Sequence, residues 1–337
     1  MTPKPKVKHE VRKNNDQSKR AQVANKQVPQ VKYVTVTQKN EFQRIDNFLI
    51  THLKGLPKSK IYKIIRKGEV RINKKRCKPE TKLSLDDVVR IPPVFGLGEE
   101  KAKVKASHSL LDFLDTAIIY EDKALLVVNK PSGLAVHGGS GVRLGLIEAL
   151  RSRYPDTQFL ELVHRLDRDT SGCILVAKTR SALRCFHAQF RDKEVTKIYH
   201  AAVHGKWPKH IKKVDAPLKR SELKSGERIV LVHQDGKQSK TGFRVLASSS
   251  YFTHMEARPV TGRTHQIRVH SAFSGCPIVG DEKYIKRGED DLNGMEKARL
   301  MLHAKEIHFK LPDGKSVSFE APYDQLYTQN LKTMGMI

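Results

Sequence analysis

The sequence predicts an α+β protein built as two folded parts, from three observations. From Ala117 onward apolar strand-like runs dominate, and the plausible helices, Leu144 to Arg151 and Ser181 to Arg191, do not alternate with strands in a β-α-β rhythm, so a mainly antiparallel sheet fits better than a parallel one. Residues 44 to 91 carry a pattern of their own, two short helices followed by short strands. The chain has 337 residues, 38% of them hydrophobic and 7% aromatic, enough for one large domain or about two ordinary ones.

In the front part, Ile45, Phe48, Leu49 and Leu53 recur at i, i+3, i+4 and i+8, one face of a helix. A turn at Gly55 and Pro57 leads to a second helix, Lys58 to Lys67. Its Ile61, Ile64 and Ile65 share one side, while Lys63, Arg66 and Lys67 share another. Gly68 is placed to end it. Val70 and Ile72 then alternate into a strand, residues 73 to 75 turn, and Val88 to Ile91 forms another strand before Pro92-Pro93.

Charge restricts the partners. There are 63 Lys and Arg against 36 Asp and Glu, net +27. Residues 1 to 40 hold ten basic and two acidic side chains, net +8, residues 41 to 110 add +9, and the rest of the chain +10. So basic a surface accumulates on polyanions, nucleic acid first and an anionic membrane face second. Residues 1 to 38, rich in Lys, Gln, Asn and Pro, read as a disordered tail, either simply solvated or an RNA tether. Residues 95 to 110, with glycines and alternating lysines, read as a linker.

Mean hydropathy is −0.52, and no apolar run approaches the roughly 18 residues of a membrane helix, so a membrane-spanning protein is not expected. Met1 to Lys8 lacks the apolar core of a signal peptide. Cys77, Cys173, Cys185 and Cys276 form no C-x-x-C pair, as expected of reduced thiols in a soluble cytoplasmic protein.

The segment richest in chemistry is Val163 to Gly172, ahead of the apolar run Cys173 to Ala177. An Asp beside an Arg is ordinarily a surface ion pair of small consequence. Here, however, an extended backbone would project Arg165 and Asp167 to one face and Leu166 to the other. Cationic neighbours Arg165 and Arg168 would favour a carboxylate able to serve as nucleophile or electrostatic stabiliser. Thr170, Ser171 and Gly172 supply a turn to fix the loop. Asn129 to Gly133 makes a tight turn after a strand, and the following Gly138-Gly139-Ser140-Gly141 lacks the spacing of a phosphate loop.

Arg44-Ile45-Asp46, the basic helix and Gly68 to Asn73 resemble the small RNA-binding module first described in a small-subunit ribosomal protein. His164-Arg165-Leu166-Asp167-x-x-Thr170-Ser171-Gly172 resembles the RluA/RluC/RluD-type pseudouridine synthases. Four further segments agree in order: Asn129 to Gly133, Lys197 to Gly205, Arg258 to His270 and Arg299 to Ala304. Glu161 to Gly172, with the preceding module, is most similar to the RluC branch, which modifies large-subunit ribosomal RNA. The resemblance implies a module over 39–94, a catalytic domain over 111–328 with a bent, mainly antiparallel sheet, and a C-terminal tail over 329–337.

It also implies site residues. Asp167 matches the family's catalytic carboxylate, acting by attack on C1′ or during a glycal-forming elimination. Tyr199 matches the Tyr that packs on the uracil and can shuttle a proton; a lone strand Tyr would ordinarily be packing. Arg268 matches the Arg that pairs with the carboxylate, and a bidentate pairing would also orient it. Arg165 and Arg263 follow as phosphate or base contacts, and Lys63, Arg66 and Lys67 as RNA contacts of the module. His265, with His270 and His303, would suggest a metal by residue type, but the isomerisation needs no Lewis acid, and structural or RNA-contacting histidines fit better. No cofactor or metal is implied, and the expected partner is large-subunit ribosomal RNA or a pre-ribosomal particle, met by a monomer with no obligate protein partner. Two other classes compete: an RNA-binding assembly factor that kept the scaffold without catalysis, and a glycosylase that would release free uracil.

Overall fold

A computed structural model describes residues 30–53, 55–94, 106–138, 144–222, 228–285 and 299–337. Most of the predicted basic tail (1–29), most of the linker (95–105) and Gly139-Ser140-Gly141 lie outside them. The chain divides into two compact units at residues 101 and 102.

In the first unit, β1 (Lys32–Thr35), α1 (Ile45–His52), α2 (Lys58–Arg66), β2 (Arg71–Ile72), β3 (Lys75–Arg76) and β4 (Val88–Ile91) follow in order. The strands make an antiparallel sheet in the order β1-β4-β2-β3. Both helices bury the predicted faces, Phe48 and Leu49 from one and Ile61, Ile64 and Ile65 from the other, together with Val70 and Val89. Strand β1 falls within residues expected as tail, because Val36 just beyond it is fully buried in this core and Lys32 to Thr35 pair with β4. Asp46 is buried too. It accepts from Arg44 Nη2 (2.7 Å), from Tyr62 Oη (3.1 Å) and from the Asn47 amide (2.8 Å), and the Arg44 hydrogen bond holds its carboxyl below the usual range despite burial.

The second unit runs α3 (His108–Thr116), β5 (Ile118–Glu121), β6 (Leu125–Lys130), α4 (Leu146–Arg153), β7 (Glu161–Leu162), β8 (Ser171–Ala177), α5 (Arg180–Arg191), β9 (Thr196–His204), β10 (Lys213–Asp215), β11 (Leu218–Glu222), β12 (Arg228–Val232), β13 (Lys240–Ser248), β14 (Phe252–Pro259), α6 (Gln266–Phe273), β15 (Leu302–Lys310), β16 (Ser316–Glu320) and α7 (Gln325–Thr333). Its main sheet has the order β10-β13-β14-β9-β15-β8-β6-β5, with β16 added on β15 and β7 on β8. Every pairing is antiparallel except β8 with β15. The fold is α+β, and β11 and β12 form a separate two-stranded sheet.

The unbroken apolar character of β6 and β8 has a simple cause: both faces are covered. Leu126, Val128, Ile174 and Val176 pack with Leu146 and Leu150 of α4, while Leu125, Val127, Leu175 and Ala177 pack with Ala182 and Phe186 of α5. Two boundaries differ from expectation. Residues 108–110 open α3 rather than belonging to a linker, with Ser107 Oγ capping the Leu110 amide. Residues 329–337 are not a loose tail, because Leu331, Met334 and Met336 are buried with Tyr327 against β9, β14 and β15.

The parallel pair β8–β15 sets the position of the Asp167 loop. Gly172 there has φ of 107°, and a Cβ would lie 2.2 Å from the Ala304 carbonyl oxygen, so only glycine fits.

Candidate active site

Three elements converge on one cleft. Asp167 comes from the loop between β7 and β8, Tyr199 from β9, and Arg268 from α6; Arg165, Arg263 and His265 line the same cleft. The expected side-chain alternation holds where it matters. Leu166 is buried in the core under α4, while Asp167 is 21% exposed and faces the cleft.

The charges around Asp167 differ from the sequence expectation. Arg168 pairs with Asp169 (3.1 Å), not with Asp167. The groups facing Asp167 Oδ2 are the Arg268 guanidinium, with Nη1 at 3.6 Å, and the His265 ring at 3.8 Å. Nor is the Arg268 pairing with Asp167 bidentate. The guanidinium fork is taken by Asp281, with Nε to Oδ2 at 2.7 Å and Nη2 to Oδ1 at 2.6 Å, and the Asp281 side chain is fully buried. Burial alone would pull the Arg268 pKa down, but the hydrogen bonds and charge of Asp281, with Asp167 behind them, raise it.

His265 lies immediately before α6 in the left-handed region (φ 54°, ψ 20°), a conformation that is costly for a residue other than glycine and recurs at functional sites. Tyr284 Oη accepts from the Val230 amide (3.1 Å) and hydrogen-bonds His265 Nδ1 (2.7 Å), which turns Nε2 towards Asp167. Burial lowers the His265 pKa, Asp167 opposes that and Arg268 adds to it, which leaves the ring neutral at neutral pH. Burial, and then Asp167, raise the Tyr199 phenol well above its ordinary value.

Below the cleft, Lys130 is fully buried. Its Nζ donates to the carbonyls of Pro131, Leu134 and Arg168, each at 2.8 Å, and Ser132 Oγ donates to the Asp169 carbonyl at 2.7 Å. The Asn129-to-Gly133 turn therefore braces the Arg168 and Asp169 carbonyls, just after Asp167. Gln266 does the same for the other wall: its Oε1 accepts from the Arg263 amide (3.0 Å) and Thr261 Oγ1 (2.7 Å).

Arg165 and Arg263 are exposed at the rim. His270 and His303 are structural: His270 lies between Thr241 Oγ1 and the Ala216 carbonyl, and His303 between Ser171 Oγ and the Ala321 carbonyl. Lys63, Arg66 and Lys67 belong to the first unit, exposed on α2 opposite its buried isoleucines. Sequence reasoning missed Asp281 and Tyr284. The available signal was an acid directly after Gly280, which has φ of 73°, at the end of the buried pair Ile278-Val279.

Residues 124–273 match the family model for RNA pseudouridylate synthase, and residues 43–89 match that of the S4 domain. The chain is 52% identical over 296 residues to "Ribosomal large subunit pseudouridine synthase C" of Pasteurella multocida, covering 87% of this chain and 91% of that protein. It is 52% identical over 303 residues to the Escherichia coli protein of the same name, covering 89% and 95%. Among solved structures, "Human RNA Pseudouridylate Synthase Domain Containing 4" superposes with a TM-score of 0.57 at 26% identity, over 67% of this chain and 96% of that one. With a matching catalytic-domain model, relatives matched over nearly their whole length and the α+β fold described above, the chain belongs to the pseudouridine synthase family and is an isomerase.

Proposed function

We propose that the protein converts uridines of large-subunit ribosomal RNA to pseudouridine, with Asp167 as the catalytic carboxylate. One observation carries the reading: Asp167 is half-buried in a cleft with Tyr199, beside a guanidinium anchored elsewhere by Asp281. The names of the two bacterial relatives support the choice of RNA. A stacked uridine must be extruded to reach such a cleft, at a cost of a few kcal/mol that phosphate contacts by Arg165, Arg263 and the Lys63, Arg66 and Lys67 face of the S4 domain would offset.

Asp167 attacks C1′ or stabilises the sugar cation during elimination, and in either route the N1–C1′ bond breaks, the uracil turns and C5 bonds to C1′. Arg268 stands 3.6 Å from the Asp167 carboxylate as its counter-charge, and Tyr199 packs on the uracil and relays the proton lost from C5 to N1, the atom the sugar has left. The reaction consumes neither redox equivalents nor phosphate, so no cofactor or metal enters it. The protein is read as a monomer acting in the cytoplasm without an obligate protein partner.

The test is to incubate the purified protein with unmodified large-subunit ribosomal RNA and map pseudouridine by mass spectrometry. Wild type forms it at defined sites and Asp167→Asn forms none. Activity that survives Asp167→Asn, or release of free uracil, refutes the assignment.

A further inference from the structure

A second groove adjoins the cleft and has no role in the chemistry described above. Its walls are the β11–β12 hairpin and the loop at 235–237, and it meets the cleft at Gly262 and Arg263, which line both. Lys219, Arg220, Lys237 and Arg263 are exposed along it, against a single carboxylate, Asp235. Lys219 (3.3 Å) and His233 (3.6 Å) already engage that carboxylate. Arg220 donates to Thr264 Oγ1 at 2.8 Å and Arg263 to the Gln238 carbonyl at 3.2 Å, both neutral partners. Among the described residues no carboxylate lies within ion-pair distance of Arg220, Lys237 or Arg263.

The groove is a built feature of the catalytic unit. Leu218 and Val230 bury the inner face of the hairpin against Val269 of α6. Val230 also donates to Tyr284, whose hydroxyl holds His265 in the cleft. Groove and cleft share Gly262, where an added Cβ would meet nothing within 4 Å, so the space beside its backbone is open.

We infer that this groove binds the single-stranded RNA backbone on one flank of the target uridine, with Lys219, Arg220, Lys237 and Arg263 contacting its phosphates. The inference rests on the RNA substrate proposed above. Four cations lining one groove suit the phosphates of a polynucleotide, and a chain leaving the cleft past Gly262, which lines both, enters the groove directly. Because the groove lies on one side of the cleft, it serves one flank only.

The double variant Lys219→Gln with Lys237→Gln tests it on the full chain and large-subunit ribosomal RNA. KM for pseudouridine formation rises about tenfold while kcat stays within about twofold. The slope of log affinity against log salt becomes shallower by about 1.4, or about 0.7 for each phosphate of a single strand that is no longer neutralised. In RNA carrying 4-thiouridine beside the modified uridine, photo-crosslinks to residues 218–237 arise from one flank and not the other. An unchanged salt slope, a fall in kcat at constant KM, or crosslinks from both flanks alike would overturn the inference. If wild type forms no pseudouridine the substrate reading fails by itself, and the salt slope of RNA binding still decides for or against the groove.

Discussion

Arg268 gives the fork of its guanidinium to Asp281, at 2.6 and 2.7 Å, and leaves only Nη1 for Asp167, at 3.6 Å. The two carboxylates thereby have separate tasks. Asp281, fully buried, fixes where the guanidinium stands; Asp167, at the cleft, has no tight hydrogen bond to its carboxylate oxygens among the described residues. Asp281→Asn removes the buried counter-charge and lets Arg268 close on Asp167. Breaking a buried pair in this way costs about 3–5 kcal/mol, and a misplacement of order 1 Å beside the reacting atoms lowers kcat by about 10²-fold. Urea unfolding and single-turnover pseudouridine formation measure the two effects. A stable variant with full activity would show that Asp281 positions nothing.

The Tyr199 ring and its hydroxyl are separable. In β9, between Ala257 of β14 and Ala304 of β15, the ring packs against buried residues, while its hydroxyl has no protein hydrogen-bond partner among the described residues. Burial and the nearby Asp167 raise the phenol's pKa, so it is protonated throughout the working pH range and able to exchange a proton with a base beside it. Tyr199→Phe keeps the ring and should lower kcat by about 10²-fold or more with little change in KM. An unaltered kcat would reduce Tyr199 to a packing residue.

Much of this site was legible in the sequence, for an identifiable reason. Asp167, Tyr199 and Arg268 sit in contiguous segments whose local wording is distinctive, and the burial of Leu166 follows from strand alternation. What escaped depends on contacts across the fold. Asp281 reaches Arg268 from 13 residues away, and Lys130 reaches the Arg168 carbonyl from 38. Neither separation corresponds to a helical or strand period, so only the folded chain reveals the partners. Charge adjacency misled in the same way: Arg168 is next to Asp167 in sequence but turns to Asp169. The C-terminal helix was missed because Tyr327, Leu331 and Met334 find their core only after β9, β14 and β15 have assembled.

Lys130 is the test of that hidden bracing. Burial drives its pKa down to about 7, with Asp169 and Asp167 opposing, yet three carbonyls at 2.8 Å saturate the three N–H groups of its ammonium form. Lys130→Met fills nearly the same volume and leaves all three carbonyls unpaired, at about 1–3 kcal/mol each. Thermal unfolding should therefore come at a clearly lower temperature, and kcat should fall as the Arg168 backbone beside Asp167 loosens. Wild-type stability in this variant would refute the bracing role.

Acid should loosen the same loop from its other end, where Ser171 opens β8. Arg299 Nη2 donates to Ser171 Oγ (2.8 Å), Ser171 donates to His303 Nδ1 (2.7 Å), and His303 Nε2–H donates to the Ala321 carbonyl (3.1 Å). The three protons along these hydrogen bonds all have acceptors only while His303 is neutral. A second proton, on Nδ1, would confront the Ser171 hydroxyl, which cannot turn without meeting the N–H of Arg299. Burial first, with the Arg299 and Lys305 charges added and the Ala321 carbonyl opposing, lowers the His303 pKa to about 4, against about 6.5 in the unfolded chain. Between those values the unfolded state binds a proton that the folded state refuses. The stabilisation is fully present above about pH 6.5 and is lost as pH falls towards 4, a contribution on the order of 3 kcal/mol. His303→Gln lacks that titration. It should be less stable than wild type at pH 7, yet lose stability more slowly between pH 6.5 and 4, with a slope smaller by about one proton in urea unfolding at a series of pH values. An identical slope in the two proteins would mean that the proton is taken up elsewhere, and that the Arg299–Ser171–His303 chain does not tie the Asp167 loop to acid stability.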